Sequence, residues 1–317
     1  MPGRETSRLT TNPVATYGIC VKHILAGLLI AGTSVAADLD SQFAFENEII
    51  REWNTTEYPV VSQRGKQALQ INPATWQHLQ SAHFVFHFVN RGVAVRTAQE
   101  SEFYLRWIRQ ALELDQADTD KKSHVFIFEN PEDWKQFTKA ATLDPWTGGF
   151  FDGLDLYFWR KTGLGVLNSD QTLPHEITHR VFYEKYPAGS IPLAFHEGFA
   201  EYEARKLAFR YLRPRHYNVR VSSNRVPRDK FLSAEKLLET TTYPQDDGSV
   251  EAFYDESERL VNFLMEKHGL AKFRDLMQAL AGGQRFHIAL LQVYSKDYNS
   301  MDQFERVFAD YAILQTK

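Results

Sequence analysis

Between Thr172 and Glu203 the chain sets His175, Glu176 and His179 in the spacing HExxH, followed by Glu197 and Glu201. No other stretch restricts the fold so much, because these side chains act together only if two helices lie side by side. On a helix, positions i and i+4 are stacked one turn apart, so His175 and His179 can aim at one point. Two imidazole nitrogens at about 2.0–2.1 Å from that point make half of a tetrahedral zinc shell. Glu176 lies next to that face, within reach of water held there. Leu173, Ile177 and Val181 form a buried stripe, Asp170 or Thr172 is the expected cap, and Pro174 suits the first turn.

The pentapeptide alone can arise by chance, so the second segment decides. Pro192 opens another helical pattern, with Glu197 and Glu201 on one face and Ala200, Ala204 and Ala208 on another. Small residues let two helices approach closely, and Gly198 removes bulk beside the proposed ligand. Glu197 completes a site of two histidines and one glutamate with the fourth position open to water, the catalytic rather than the structural arrangement. One Zn2+ per chain, on His175, His179 and Glu197, is the expectation. The competing reading is two surface histidines followed by an acidic amphipathic helix.

His175-Glu176-Ile177-Thr178-His179, followed after 17 intervening residues by Glu197 in Glu-Gly-Phe-Ala-Glu-Tyr, resembles the gluzincin metallopeptidases. Within them it is most similar to the peptidase MA-like group. The resemblance spans about residues 82–315 and includes Phe253-Tyr254-Asp255-Glu256-Ser257 running to Lys267-His268-Gly269-Leu270, which looks like that group's downstream helices. It implies a zincin-like α+β fold, Glu197 as third ligand, and Glu201 as the carboxylate that orients the first histidine. His196, directly before the ligand, is unusual there and is a competitor for the metal.

Composition narrows the setting. The 317 residues are 43% hydrophobic and 24% charged, ordinary for a globular chain with a substantial core. Residues 1–37 read as a leader: Lys22-His23 precede an apolar run from Ile24 to Ala36 that ends in small residues, a secretory signal pattern too short for a comfortable membrane span. Export to the periplasm or medium is expected, with a retained N-terminal anchor as the alternative and no stable membrane insertion once the leader is gone. A polar stretch of 20 residues stands in front, so translation starting at Val21 is a further expectation, which N-terminal sequencing of the precursor tests. The only cysteine, Cys20, lies in the leader, so the remainder has no disulfide, thiol nucleophile or Cys-based metal site. The net charge of −4 becomes more negative without Arg4, Arg8 and Lys22 against Glu5, which gives no support to nucleic-acid binding.

Along the chain, residues 38–80 read as an N-terminal extension, with a short helix over Leu39–Trp53 and a turn over Thr55–Pro59. Ala82–Val89 alternates with period two, Ala98–Leu114 is helical, His124–Phe128 is apolar on both faces and therefore central, and a helix starts at Pro131. His83 and His87, about 13 Å apart on a strand, cannot share a metal and read as structural or surface histidines. Gly148-Gly149 punctuates before a strand or hairpin, Phe150–Trp159, bent at Gly153. Gluzincins place a substrate-pairing edge strand there; an ordinary packed strand is the equal alternative. Residues 81–212 form the expected zincin-like catalytic unit. Residues 213–248 are irregular and begin basic, with Arg213, Arg215, Arg220, Arg225, Arg228 and Lys230 against Asp229, either an anion-attracting patch or a solvated loop. Residues 249–317 are helical, Gly269 closing one helix and Gly282-Gly283 separating others.

The implied reaction is hydrolysis of a peptide or protein substrate, with Glu176 as general base. The resemblance calls for a downstream oxyanion donor, for which Tyr254 is the candidate with Tyr243 and His287 behind it; Tyr254 also reads as plain helix packing. A catalytically silent binding or scaffold protein of the cell envelope is the rival from another class. An intact Glu176 argues against it, since a binding module needs no general base. There is no Gly-x-Ser-x-Gly for a serine hydrolase.

Overall fold

The period of the apolar residues changes repeatedly along the chain, and the secondary structure changes with it. The computed structural model describes residues 17–20, 48–50, 61–114, 122–144, 147–160, 171–212, 226–244 and 246–313. Seven strands occur among them: β1 (Tyr17–Cys20), β2 (Glu48–Ile50), β3 (Gln77–Gln80), β4 (Phe84–Phe88), β5 (Ser123–Phe128), β6 (Thr147–Phe151) and β7 (Leu156–Trp159). The helices are α1 (Gln63–Leu69), α2 (Arg91–Ala111), α3 (Pro131–Ala140), α4 (Thr172–Lys185), α5 (Leu193–Leu212), α6 (Ala234–Glu239), α7 (Asp247–Ala281), α8 (Phe286–Val293) and α9 (Met301–Ala312). The fold is mixed α+β.

One sheet runs in the order β1-β6-β7-β5-β4-β3-β2. β3 to β7 form its body, and the short β1 and β2 add one strand to each edge. β5 pairs in parallel with both β4 and β7, while the other neighbours are antiparallel. Parallel neighbours need long crossovers, which α2 supplies between β4 and β5, and α3 with β6 supplies between β5 and β7. Every residue of β5 is buried, as an apolar strand covered on both faces requires.

The two faces carry separate cores. Phe84, Phe86 and Phe88 point into the larger one, with Ile108 of α2, Ile177 and Val181 of α4, Phe195 and Phe199 of α5, and Leu260 and Leu264 of α7. Phe126, Phe128, Phe150 and Tyr157 point the other way, against Ala68 and Leu69 of α1 and Trp134 and Phe137 of α3. The larger core runs without a break from Leu79 to Ala312, so the sheet-bearing part and the helical C-terminal part share it. Phe199 stacks on Phe273 across that junction at 5.4 Å.

Two close approaches seat the helices that matter. A Cβ on Gly149 of β6 would stand 2.5 Å from Thr172 Cγ2, so the bare glycine lets the start of α4 rest on the sheet. A Cβ on Gly198 of α5 would stand 2.2 Å from the Ser257 carbonyl oxygen of α7. The glycine therefore sets the spacing of those helices.

Several expectations are corrected here. Glu48–Ile50 is a strand, not part of a helix over Leu39–Trp53, because it completes the edge beside β3. Gly148-Gly149 lies inside β6 rather than breaking before it. Phe150–Trp159 resolves into a hairpin turning at Gly153, and its second strand is interior. β6 lies between β7 and the short β1 and is paired on both sides: Tyr17 stands opposite Phe151 and Cys20 opposite Thr147. The sequence reading contains no strand at Tyr17–Cys20. Gln171, not Asp170 or Thr172, stands at the N-cap of α4, and its side chain makes no capping bond; Asp170 lies outside the described residues. The expected irregular region contains α6, and Arg228 and Lys230 are exposed in a 3-10 turn. Arg213, Arg215, Arg220, Arg225, Val21, the apolar run Ile24–Ala36 and the turn Thr55–Pro59 lie outside the described residues. Gly269, at φ 83°, interrupts α7, and helix resumes after it. Among the described residues no helix is long and apolar enough to cross a membrane.

Candidate metal centre

His175, Glu176 and His179 occupy one face of α4, and each is buried. The chain leaves α4 at Lys185 and turns back through Pro192, whose carbonyl accepts from the amides of Phe195 and His196 to start α5. α5 lies against α4 and aims Glu197 at the two histidines. His175 Nε2 and His179 Nε2 are 2.8 Å apart, and Glu197 Oε2 is 3.3 Å from the first and 3.5 Å from the second. Donors about 2.05 Å from a tetrahedral centre stand about 3.3 Å apart, so the carboxylate is in place and the imidazoles need to part by about half an ångström. His175, His179 and Glu197 together could hold a metal ion.

The donor chemistry fits. Glu197 Oε2 is buried without a hydrogen-bond partner, and so are both carboxyl oxygens of Glu176. Buried carboxylate oxygens left without donors are costly, and a bound cation would satisfy such a cluster. Burial disfavours charge on Glu197, but His179 and His175 outweigh it and hold the carboxyl well below the usual range. Burial likewise opposes the charge on His175, yet Glu201 and Glu197 raise its pKa to about 10. Burial pushes Glu176 well up, helped by Glu197 and Glu201 and opposed by His175. Three carboxyl groups around two imidazoles make a pocket whose field favours a cation.

The surrounding residues divide clearly. Glu201 Oε1 is 3.0 Å from His175 Nδ1, at ion-pair distance but not aligned as a linear hydrogen bond. It therefore stands where the expected orienting carboxylate belongs. His196 is not a fourth donor at the convergence point. Its Nδ1 is 2.7 Å from His179 Nδ1 and its ring stacks on that of His179 at 4.6 Å, so it backs the ligand from the side away from Nε2. Burial lowers the pKa of His196 well below its ordinary value, with His179 adding to the effect. A neutral His196 can accept from Nδ1–H of His179, which would turn the lone pair of His179 Nε2 toward the convergence point.

Two tyrosines reach the centre. Tyr254, buried in the first half of α7, has its ring centroid 6.3 Å from that of His175. Burial, with the charges of Glu197, Glu201 and Glu176, pushes its hydroxyl pKa well up, so it stays a donor. Tyr243, on the loop between α6 and α7, donates to Glu197 Oε1. His287 is exposed in the first turn of α8, whereas His175, Glu176, His179, Glu197 and Tyr254 are buried. Sequence reasoning named Tyr243 only as a reserve donor and missed its contact with the ligand, since a loop 46 residues downstream carries no periodic signal.

His78, His83, His87 and His124 have partners within the fold. His83 pairs with Glu102 at 2.6 Å, and His87 lies between His78 and His124 on the face of the sheet turned away from α4. No protein-family model matches this chain, and no curated protein gives a significant match.

Proposed function

We propose that this chain is an exported zincin-fold metallopeptidase of the gluzincin type, cleaving peptide bonds in a peptide or protein substrate. Zinc suits two imidazoles and one carboxylate, and when bound it supplies a Lewis acid and brings the pKa of water in the open position to about 7. His175 and His179 would hold it through Nε2, and Glu197 through Oε2. Glu176 takes the proton of the attacking water and passes it to the leaving amine. Burial raises its pKa, the direction that favours picking up a proton and holding it for the leaving group. The Tyr254 hydroxyl, held protonated beside His175, is the donor for the developing oxyanion.

The observation that carries this reading is Glu176 itself. A glutamate buried with both oxygens unpartnered, next to three converging donors, is hard to explain as structure. An extended peptide would add to the outer edge of β6 once Tyr17–Cys20, which pair there, leave with the leader.

The test is metal analysis of the purified protein together with digestion of a peptide library with and without chelator. Glu176→Gln should keep the metal and lose about 10²–10⁴-fold in turnover. A purified chain that binds no zinc sinks the proposal, and metal loss in Glu176→Gln refutes the general-base role. Zinc bound without turnover in the wild type would instead favour a silent scaffold.

A further inference from the structure

We propose that Tyr243 is the positioning residue that makes Glu197 a one-oxygen ligand. The inference rests on the metal-centre reading and adds to it how the third ligand is presented. The two carboxylate oxygens of Glu197 stand in different surroundings. Oε2 has no hydrogen-bond partner and faces both histidine Nε2 atoms, at 3.3 and 3.5 Å. Oε1 accepts the phenol hydrogen of Tyr243. A carboxylate with both oxygens free can chelate through both and fill two positions around a cation. With Oε1 engaged by a strong charge-assisted hydrogen bond, only Oε2 remains for the metal, and a position stays open for water.

Tyr243 is held well enough to do this, although it lies on a loop. Its ring stacks on Tyr254 at 6.1 Å and meets Phe253 edge-on at 6.4 Å, both at the start of α7. The ring also packs against the larger core. Glu197 is fully buried, so a lost donor cannot be replaced by bulk water. The loop thus brings a single hydroxyl to Glu197 and through it sets the coordination number.

Cobalt(II) reports this directly, because four-coordinate cobalt absorbs visible light far more strongly than five- or six-coordinate cobalt. Cobalt is titrated into the full chain and into Tyr243→Phe, with affinity read by competition against a chromophoric chelator. The wild type should give the strong four-coordinate spectrum. Tyr243→Phe should bind about 10–100-fold more weakly, the range for losing a partner of a metal ligand, and its spectrum should weaken as Oε1 joins the shell. Melting in chelator reads what the lost donor costs the metal-free fold, which separates a change in the fold from a change in the site. If Tyr243→Phe melts lower even in chelator, Tyr243→His, which restores an N–H donor, should recover the strong spectrum. Failure of that recovery refutes the inference. An unchanged spectrum and affinity in Tyr243→Phe overturns the positioning role while leaving the metal centre intact. A wild-type chain that binds no cobalt overturns the metal reading itself, and the inference with it.

Discussion

His196 and Glu197 are neighbours in sequence, yet their side chains leave α5 about 100° apart, as 3.6 residues per turn requires. That rotation sends Glu197 to the convergence point and His196 behind His179. The consequence is a graded prediction. Glu197→Ala removes a ligand and leaves two imidazoles, so most of the metal should be lost on gel filtration. His196→Asn keeps all three ligands and loses only the support of one, so affinity should fall by about 10–100-fold with the ligand set intact. Chelator competition on both variants checks the order; full occupancy in Glu197→Ala would mean that His196 swings in as a donor. At this scale the sequence was most informative where spacing on one helix fixes direction, as for His175 and His179. Glu201 was anticipated by resemblance and stands beside His175. The roles of His196 and Tyr243 were illegible, because they depend on which side of a ring or which oxygen of a carboxylate is approached. No periodicity encodes that choice.

The elements depend on how near α5 comes to α7. Gly198 sits one residue after Glu197, and its missing Cβ makes room for the Ser257 carbonyl. Alanine is the better helix former by about 1 kcal/mol. Here the added methyl would stand 2.2 Å from a backbone oxygen, which cannot move like a flexible side chain. Overpacking of this kind destabilises by about 1–3 kcal/mol and should outweigh the gain in propensity. Gly198→Ala should therefore lower the urea midpoint, and it should also weaken metal binding because Glu197 shifts with the helix. A variant as stable as the wild type would show that the helices separate without loss. Strands and helices with a clear period, such as β5 and α3, were legible to within a residue or two. The failures fall where pairing overrides local chemistry. Gly148-Gly149 looks like a break but lies in a strand, and Glu48–Ile50 is a strand because β3 offers it an edge.

Across the whole molecule, the sheet separates two cores, and the proposed centre belongs to only one of them. α4, α5 and α7 enclose it on the side of Phe84 and Phe86, whereas α1 and α3 pack on the other face around Phe126 and Phe137. A ligand that binds only the native state stabilises it by mass action, about 2.7 kcal/mol at a hundredfold excess over Kd. Local opening that breaks the site must also give up that binding energy, while opening elsewhere need not. Chelation should therefore raise amide hydrogen exchange in Thr172–Lys185, Leu193–Leu212 and the first half of Asp247–Ala281. Exchange in Gln63–Leu69 and Pro131–Ala140 should stay nearly as it was at temperatures well below melting. Hydrogen exchange with mass spectrometry, run with saturating zinc and with chelator, resolves these segments. A uniform rise over both faces would mean that the chain opens as one unit and that the sheet does not insulate the second core. A rise confined to Gln63–Leu69 and Pro131–Ala140 would place the metal on the wrong side of the sheet. The asymmetry follows from β5, whose buried residues send Val125 and Ile127 to one core and Phe126 and Phe128 to the other, so that the loss of one packing partner is not transmitted through a shared side chain.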